Sequence, residues 1–209
     1  MDKFITIALP KGRLAEDTVA LMDKNGLTDA SCVDFNSRRL IFEDQRNKMR
    51  FILIRNMDVP TYVEYGACDL GVVGKDIILE MNPDVFEFID LGFGHCRMCV
   101  AAPGGVEVKY FHDMRVATKF VNIAKNFFQK KGIFVETVKL YGSIEIAPIL
   151  NLSDVIVDLV STGETLKKNG LVEVETIVNS TARLIGNKNL VKYKYDRIKE
   201  IIKLMKEGR

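Results

Sequence analysis

The apolar residues of this chain form short runs that alternate with segments of helical periodicity. Phe4–Leu9 and Val155–Val157 are runs of the kind found in buried strands, and the second consists of β-branched residues. Asn122–Lys131 instead places its apolar residues on one face of a helix, and Gly132 marks the end of that helix. Because strands and helices alternate along the chain, the pattern predicts an α/β protein whose sheets are mostly parallel and flanked by helices.

Glycines near the middle of the chain divide this pattern into two lobes. Gly92-Phe93-Gly94 is a candidate hinge, and the alternation of strands and helices starts again after it. The last segment, Val191–Lys206, carries an apolar stripe typical of a helix that packs on a sheet. The stripe consists of Val191, Tyr195, Ile198, Ile202 and Met205. We therefore predict a discontinuous first lobe, residues 1–92 and 172–209, and a second lobe, residues 93–171.

The segment after the strand Val155–Val157 has the composition of an anion-binding turn. It runs Ser161, Thr162, Gly163, Glu164 and Thr165, and a short helix that Gly170 ends follows it. The free N–H groups of a first helical turn, the hydroxyl groups and the close approach that glycine permits all suit a phosphate. A purely structural interpretation is that Thr-Gly only shapes the turn.

Two aspartates flank the same strand and extend this interpretation. Asp154 precedes the strand, and Asp158 lies close to its predicted end. A carboxylate beside a phosphate site suits the hydroxyl groups of a ribose, or a magnesium ion shared with a pyrophosphate. The combination favours a phosphorylated sugar as ligand, while the structural alternative is that Asp158 caps the turn.

Basic residues lie at the ends of other predicted strands. Lys11 and Arg13 occupy the turn between the first strand and the helix that follows, and Arg38 and Arg55 border a predicted hairpin. Arginine at strand ends suits bidentate binding of phosphate, although exposed basic residues in loops are also common. Because ligands of such folds bind at the C-terminal ends of strands, we expect the first of these turns and the anion-binding turn to face each other across a cleft.

The composition argues against several classes of protein. Thirty basic and twenty-eight acidic residues give a net charge of +2, without the strong basic excess of a general nucleic-acid binder. No apolar run approaches the roughly 18 residues of a membrane span, and Phe4–Leu9 is too short for a signal peptide. We therefore expect a cytoplasmic protein.

The cysteines and histidines raise the possibility of metal or redox chemistry. Cys96 and Cys99 form a single C-x-x-C motif with His95 beside it, and only His112 lies nearby as a further ligand. A structural zinc site needs a second pair of ligands, and a redox motif needs a helix start where Met98–Ala102 predicts a strand. We expect these thiols to act as buried small hydrophobes.

Taken together, these motifs resemble the short form of ATP phosphoribosyltransferase, the first enzyme of histidine biosynthesis. The resemblance extends from about Phe4 to about Asn187, and six stretches carry it in the order of the family. They are Ala8–Arg13, Asp58–Gly66, Asp69–Asp76, Ala117–Phe120, Leu140–Pro148, and Asp154–Asp158 with Thr162–Leu166.

This resemblance implies a fold, a reaction and a set of site residues. The fold is the two-lobe α/β fold of periplasmic binding proteins. The reaction transfers the 5-phosphoribosyl group of phosphoribosyl pyrophosphate to N1 of ATP and releases pyrophosphate, with magnesium (Mg2+) bound mainly through the substrate. The implied catalytic residues are Arg13 and Arg38, and the implied substrate-binding residues are Lys11, Arg55, Ser143, Glu145, Asp154, Asp158 and the turn Ser161–Thr165.

The resemblance also implies a partner. The long form of the family adds a C-terminal domain that binds histidine, whereas this sequence ends at Arg209. The short form works with a catalytically silent regulatory subunit that resembles histidyl-tRNA synthetase. We therefore expect a hetero-octamer with four chains of each kind.

Two other functions remain open at this point. A non-catalytic ligand-binding module of the same fold would need no paired anion sites and would be expected to carry an export signal. A phosphoribosyltransferase that acts on a different base would share the anion-binding turn, and binding of adenosine nucleotides against free bases would distinguish it.

Overall fold

The computed structural model describes residues 4–105, 107–189, 192 and 194–208. The chain divides into two compact units, Met1–Gly94 with Thr181–Arg209, and His95–Ser180. The chain returns from the second unit to the first after Ser180, whereas the sequence pattern predicted this return between residues 171 and 172. The difference arises because the strand Leu171–Ser180 pairs with the strand Cys96–Pro103 of the second unit along its whole length. The alternation of apolar and polar residues along a strand predicts the strand itself but not the sheet that it joins.

Strands and helices alternate along the described residues, as the hydrophobic pattern predicted. The strands are β1 (Ile5–Pro10), β2 (Ile41–Asp44), β3 (Met49–Ile54), β4 (Leu70–Gly74), β5 (Val85–Asp90), β6 (Cys96–Pro103), β7 (Met114–Thr118), β8 (Val135–Lys139), β9 (Val155–Val160), β10 (Leu171–Ser180) and β11 (Ala182–Asn187). The α-helices are α1 (Arg13–Lys24), α2 (Val59–Glu64), α3 (Lys75–Met81), α4 (Val121–Lys130), α5 (Glu164–Lys168) and α6 (Tyr195–Glu207).

Each unit is organised around one mixed sheet. The first sheet has the order β2-β3-β1-β4-β11-β5, and the second has the order β10-β6-β9-β7-β8. Parallel pairing is confined to β3-β1-β4 and to β9-β7-β8, and the remaining neighbours are antiparallel. The prediction of mostly parallel sheets was therefore wrong, although the α/β class is confirmed. The tight β2–β3 connection forces an antiparallel pair, and β11 runs against both of its neighbours.

The core of the first unit lies between its sheet and the helices α1 and α6. These two helices bury apolar stripes at helical spacing, Ala15, Val19 and Met22 from α1 and Ile198, Ile201 and Met205 from α6, against strand residues such as Ile7 and Phe51. The hydrophobic pattern predicted that the last helix begins at Val191, which lies outside the described residues. Tyr195, assigned to the apolar stripe from the sequence, is instead exposed.

A partly buried ion pair joins the beginning of the chain to its last helix. The Nζ atom of Lys194, the residue before α6, donates to Asp69 Oδ2 at 2.8 Å and to the carbonyl oxygen of Phe4 at 2.7 Å. Asp69 Oδ2 also accepts from the backbone N–H of Thr6 at 2.8 Å. Because the side chain of Asp69 is only 3% exposed, its charge requires these partners.

The hairpin β2–β3 is anchored by a second buried carboxylate. Asp44 accepts hydrogen bonds from the Thr28 hydroxyl, from the backbone N–H of Asp29, and from both the backbone and the side chain of Asn47. Burial alone would raise the pKa of Asp44, but these four bonds outweigh it and lower the pKa from 3.8 to about 2. The carboxylate therefore links the hairpin turn to the loop that follows α1.

We expect Asp44→Asn to lower the free energy of unfolding by about 2 kcal/mol at pH 7. Because the pKa of Asp44 is lower in the folded than in the unfolded protein, its contribution is present above pH 4 and is lost as the pH falls towards 2. Urea denaturation across this range should show the two proteins converging in stability at low pH. Glu43→Gln, which breaks an exposed pair with Arg50, should cost less than about 1 kcal/mol. A pH-independent difference for Asp44→Asn would contradict the proposed linkage.

Candidate anion-binding site

The anion-binding turn predicted from the sequence follows β9 in the second unit. It borders a cavity of about 210 Å³ that is open to solvent. The lining residues are Glu145, Asp158, Leu159, Val160, Ser161, Thr162, Gly163, Thr165 and Leu166. The structure therefore brings together most of the residues that the sequence analysis assigned to the phosphorylated sugar.

The backbone of this turn depends on Gly163. Its φ of +81° lies in the left-handed region, where a side chain is disfavoured. A Cβ atom at this position would also approach Glu173 Oε1 to 3.2 Å. The helix α5 that follows has only five residues, so its aligned dipoles are small. The helix dipole would therefore contribute little to binding an anion, and individual N–H and hydroxyl groups of the turn would contribute most.

Asp158 lies inside β9 and contributes a carboxylate to the cavity. It shares a face of the strand with Ile156 and Val160, which belong to the apolar core of this unit. Burial is the main reason that its pKa is raised, and the negative charge of Glu145 acts in the same direction. The N–H of Leu159, at 2.8 Å from Asp158 Oδ1, and the charge of Lys119 oppose this shift. In the described structure this carboxylate accepts from the next residue of the strand and not from the 161–165 turn, so it does not cap that turn, the structural role that the sequence left open.

Ser143 and Glu145 lie on a segment that packs against the same end of β9. Residues Ile144–Ile146 form a 3-10 turn, and Ile144 is buried in the core of the unit. Ser143 precedes this turn with a φ of +50°, and its side chain makes no capping hydrogen bond. Ser143 therefore occupies the position before the turn without capping it through its side chain. Its hydroxyl is exposed, and Glu145 lines the cavity.

Asp154 lies away from the other predicted substrate-binding residues of this unit. It precedes β9 at the amino end of the strand, where Oδ2 accepts from the backbone N–H of Arg115 at 2.7 Å. Six residues of strand separate it from the turn, which corresponds to roughly 20 Å. The structure therefore does not bring Asp154 together with Ser161, because both ends of one strand cannot border the same small cavity.

An ion pair beside the turn was not identified from the sequence. Arg97 on β6 donates through Nε and Nη2 to the two carboxylate oxygens of Glu173 on β10, at 2.8 and 2.5 Å. A third donor, Nη1, reaches the carbonyl oxygen of Ser161 at 3.1 Å. The pKa of Glu173 is lowered, chiefly by its hydrogen bonds with Arg97. Arg97 and Glu173 lie 76 positions apart, and only the antiparallel pairing of β6 with β10 brings them together.

The basic turn of the first unit lies where the sequence placed it. Lys11 and Gly12 follow β1, and Arg13 is the first residue of α1. The Arg13 side chain is 90% exposed and approaches Asp17 within 3.6 Å, in an exposed pair of the i,i+4 type. Gly12 has a φ of +99°, which lets the chain turn sharply and presents the side chains of Lys11 and Arg13 to solvent.

Arg38 and Arg55 belong to the same unit. Arg38 lies in the loop before β2, and Arg55 directly follows β3. Both are exposed. Because β1 and β3 are parallel neighbours in register up to the pair Pro10 and Ile54, Arg55 leaves the sheet at the same edge as the Lys11 turn. Three of the predicted basic residues are thus associated with one edge of the first sheet.

The cysteines are free thiols, and Cys99 is buried while Cys96 is partly exposed. Cys99 Sγ lies 3.4 Å from Glu173 Oε2, and burial is the main cause of its raised pKa. Within the described ranges, no three His, Cys, Asp or Glu side chains are grouped as metal ligands. None of the helices in those ranges has the length and apolar character needed to cross a bilayer.

Comparison with solved structures first defines the class of fold. The periplasmic aliphatic sulphonate binding protein SsuA from Escherichia coli is 11% identical to this chain, with a TM-score of 0.65 over 100% of this chain and 73% of SsuA. The chain therefore has the two-lobe α/β fold of periplasmic binding proteins, and that expectation is confirmed.

More specific similarities identify the family. The sequence profile of ATP phosphoribosyltransferase matches residues 55–207. An ATP phosphoribosyltransferase from Caldanaerobacter subterraneus subsp. tengcongensis is 55% identical over 97% of this chain and 96% of the relative. In a structure titled "ATP phosphoribosyl transferase (HisG:HisZ) complex from Thermotoga maritima", the matched chain has a TM-score of 0.84 and 29% identity over 98% of each chain. The chain belongs to the ATP phosphoribosyltransferase family, as its sequence motifs indicated.

Proposed function

We propose that the Ser161–Thr165 turn binds the 5-phosphate of phosphoribosyl pyrophosphate and that Asp158 binds the ribose hydroxyls. As a member of its family, the chain is a transferase that joins the 5-phosphoribosyl group to N1 of ATP and releases pyrophosphate, the first step of histidine biosynthesis. The observation that supports the assignment is the cavity of about 210 Å³, whose lining includes hydroxyl-bearing residues of the turn together with the carboxylate-bearing Asp158. A phosphate and a vicinal diol require this combination of groups.

The basic residues of the first unit supply the other half of the proposed chemistry. Displacement at C1 of the ribose passes through an oxocarbenium-like state in which negative charge builds up on the leaving pyrophosphate. Arg13 and Arg38 would stabilise that charge, and Lys11 and Arg55 would hold the phosphates of the nucleotide and the pyrophosphate. N1 of adenine already carries a lone pair, so the reaction requires no strong general base. The rate then depends on holding the two substrates in line.

Magnesium fits this proposal through the substrate. The ion prefers oxygen ligands and is commonly held by one or two carboxylates together with substrate phosphates. Asp158 and Glu145 both line the cavity, so their carboxylates would be the groups of this chain that hold a magnesium ion arriving with the substrate. When bound, magnesium would neutralise charge on the leaving pyrophosphate. Ser143 would add a hydroxyl on the same side. Asp154 would act only through its contact with Arg115.

We further propose a regulatory partner of the HisZ type and a cytoplasmic location. The Thermotoga maritima structure is titled as a HisG:HisZ complex, and its matched chain covers 98% of this one. The extent of this match supports a hetero-oligomer, with the hetero-octamer of four chains of each kind as the specific form. ATP is a metabolite of the cytoplasm, and this supports the location.

The proposed function is tested by product formation. Purified protein is mixed with ATP, phosphoribosyl pyrophosphate and magnesium, with and without a HisZ-type subunit, and phosphoribosyl-ATP is sought by mass spectrometry. Product in either mixture is the expected result, and a rate that increases with the subunit and becomes sensitive to histidine would support the assembly. Absence of product in both mixtures while ligands still bind would favour a binding module. Product with a free base in place of ATP would indicate a different phosphoribosyltransferase.

A further inference from the structure

Arg97 makes three hydrogen bonds, and only one of them reaches the anion-binding turn. Two donors hold Glu173, and the third holds the carbonyl oxygen of Ser161 at 3.1 Å. The side chains of Arg97 and Glu173 are about one-third exposed, at 33% and 30%. Because the two charges are paired in a bidentate arrangement, the net charge offered to a ligand is close to zero. Arg97 therefore differs from a residue that attracts phosphate by its own charge.

The contact with Ser161 fixes the orientation of one peptide group. The Ser161–Thr162 peptide is trans, and in a planar trans peptide the C=O and N–H groups point in opposite directions. When Arg97 holds the Ser161 carbonyl oxygen on its own side, the N–H of Thr162 is directed to the other side. Thr162 lines the cavity, so this orientation presents a hydrogen-bond donor to whatever occupies the cavity.

Glu173 holds Arg97 in the orientation that contacts the Ser161 carbonyl. It orients the guanidinium of Arg97 by two bonds, and its Oε1 lies where a Cβ atom of residue 163 would make a 3.2 Å contact. Cys99 packs on the other oxygen, with Sγ 3.4 Å from Glu173 Oε2. Arg97 and Glu173 thus join two antiparallel strands, β6 and β10, and the turn lies in contact with the pair.

We propose that Arg97, oriented by Glu173, is a positioning residue that holds the Thr162 N–H towards the 5-phosphate of phosphoribosyl pyrophosphate. This inference rests on the proposed function of the turn and adds a residue to it. Arg97 acts through the backbone of Ser161 and touches no substrate atom. Its loss should therefore weaken the binding of one substrate and leave the other substrate and the chemical step nearly unchanged.

The test compares Arg97→Gln with the matched variant Lys131→Gln. Lys131 pairs with Glu175 of the same strand β10, at 2.8 Å and with similar exposures of 35% and 37%, but it makes no contact with the turn in the described structure. We expect Arg97→Gln to raise the Kd and KM for phosphoribosyl pyrophosphate about tenfold, with kcat and the KM for ATP changed less than about twofold. Lys131→Gln should leave all these constants close to those of the unsubstituted protein.

A second variant and a binding measurement complete the test. Arg97→Lys keeps the charge but lacks the planar fork that spans Glu173 and the Ser161 carbonyl. It should therefore give an intermediate loss, measured by calorimetric titration with phosphoribosyl pyrophosphate and separately with ATP. If unsubstituted protein binds phosphoribosyl pyrophosphate and Arg97→Gln binds it equally well, the inference fails while the proposed function stands. Equal losses for both substrates would also overturn the inference. If unsubstituted protein binds no phosphoribosyl pyrophosphate, the proposed function fails as well.

Discussion

Replacing Arg13 or Arg38 with alanine is expected to lower kcat by about 10²–10³ while leaving the melting temperature nearly unchanged. A preorganised donor to a developing negative charge is worth about this factor, and both guanidinium groups are exposed. The only ion pair of Arg13 in the described residues is an i,i+4 contact of 3.6 Å with Asp17, which stabilises a helix by less than about 0.5 kcal/mol. Steady-state kinetics and thermal denaturation of the same preparations would separate the two effects.

Asp17→Ala provides the matched control for Arg13. It breaks the same ion pair and leaves the guanidinium in place, so we expect kcat within about twofold of the unsubstituted value. A large loss of activity in Asp17→Ala would indicate that the ion pair matters rather than the free charge. Equal losses of activity and melting temperature in Arg13→Ala would show a structural role instead.

The second large effect is expected for Gly163→Ala, with a loss of phosphoribosyl pyrophosphate binding of at least tenfold. An alanine at a φ of +81° is disfavoured by about 1 kcal/mol, and its Cβ atom would lie 3.2 Å from Glu173 Oε1. Relief of both problems requires the turn to move, so its N–H groups would no longer converge on the phosphate. Calorimetric titration with phosphoribosyl pyrophosphate measures the loss directly.

Gly170→Ala is the control that separates the cost of a left-handed backbone conformation in alanine from the loss of substrate binding. Gly170 follows the same helix α5 with a φ of +71°, and a Cβ atom there would have no neighbour within 4 Å. We expect this variant to lose stability to a similar extent as Gly163→Ala, measured by urea denaturation, but to bind phosphoribosyl pyrophosphate normally. Equal affinities in the two glycine variants would show that the turn at Gly163 does not bind the substrate.

The sequence was most informative where local chemistry determines local structure. The β-branched run before Asp158, the small and hydroxyl-bearing residues after it and the glycine that turns the chain are contiguous, and each predicts its own conformation. For this reason the 161–165 turn lies where it was expected. The same reasoning located Lys11 and Arg13 at the end of β1, because a strand, a glycine and an acidic first helical turn follow one another directly.

Residues whose neighbours depend on strand pairing were not predictable in this way. Asp154 was assigned to the site because it is near the turn in sequence, but the strand between them carries it to the opposite end of β9. Arg97 and Glu173 were missed because their contact depends on the pairing of β6 with β10. That pairing also explains the error in the boundary at residue 172, since a strand next to the site in sequence proved to be an edge strand of the second sheet.

The position of β11 between β4 and β5 has a consequence for the order in which the chain folds. The second unit is one continuous segment, His95–Ser180, whereas the first sheet needs Ala182–Asn187 to join two strands made much earlier. During synthesis on the ribosome, the edges of β4 and β5 that pair with β11 therefore stay unpaired until the whole second unit has emerged. Exposed strand edges are prone to association, so the nascent chain is most vulnerable to aggregation in the interval before β11 appears.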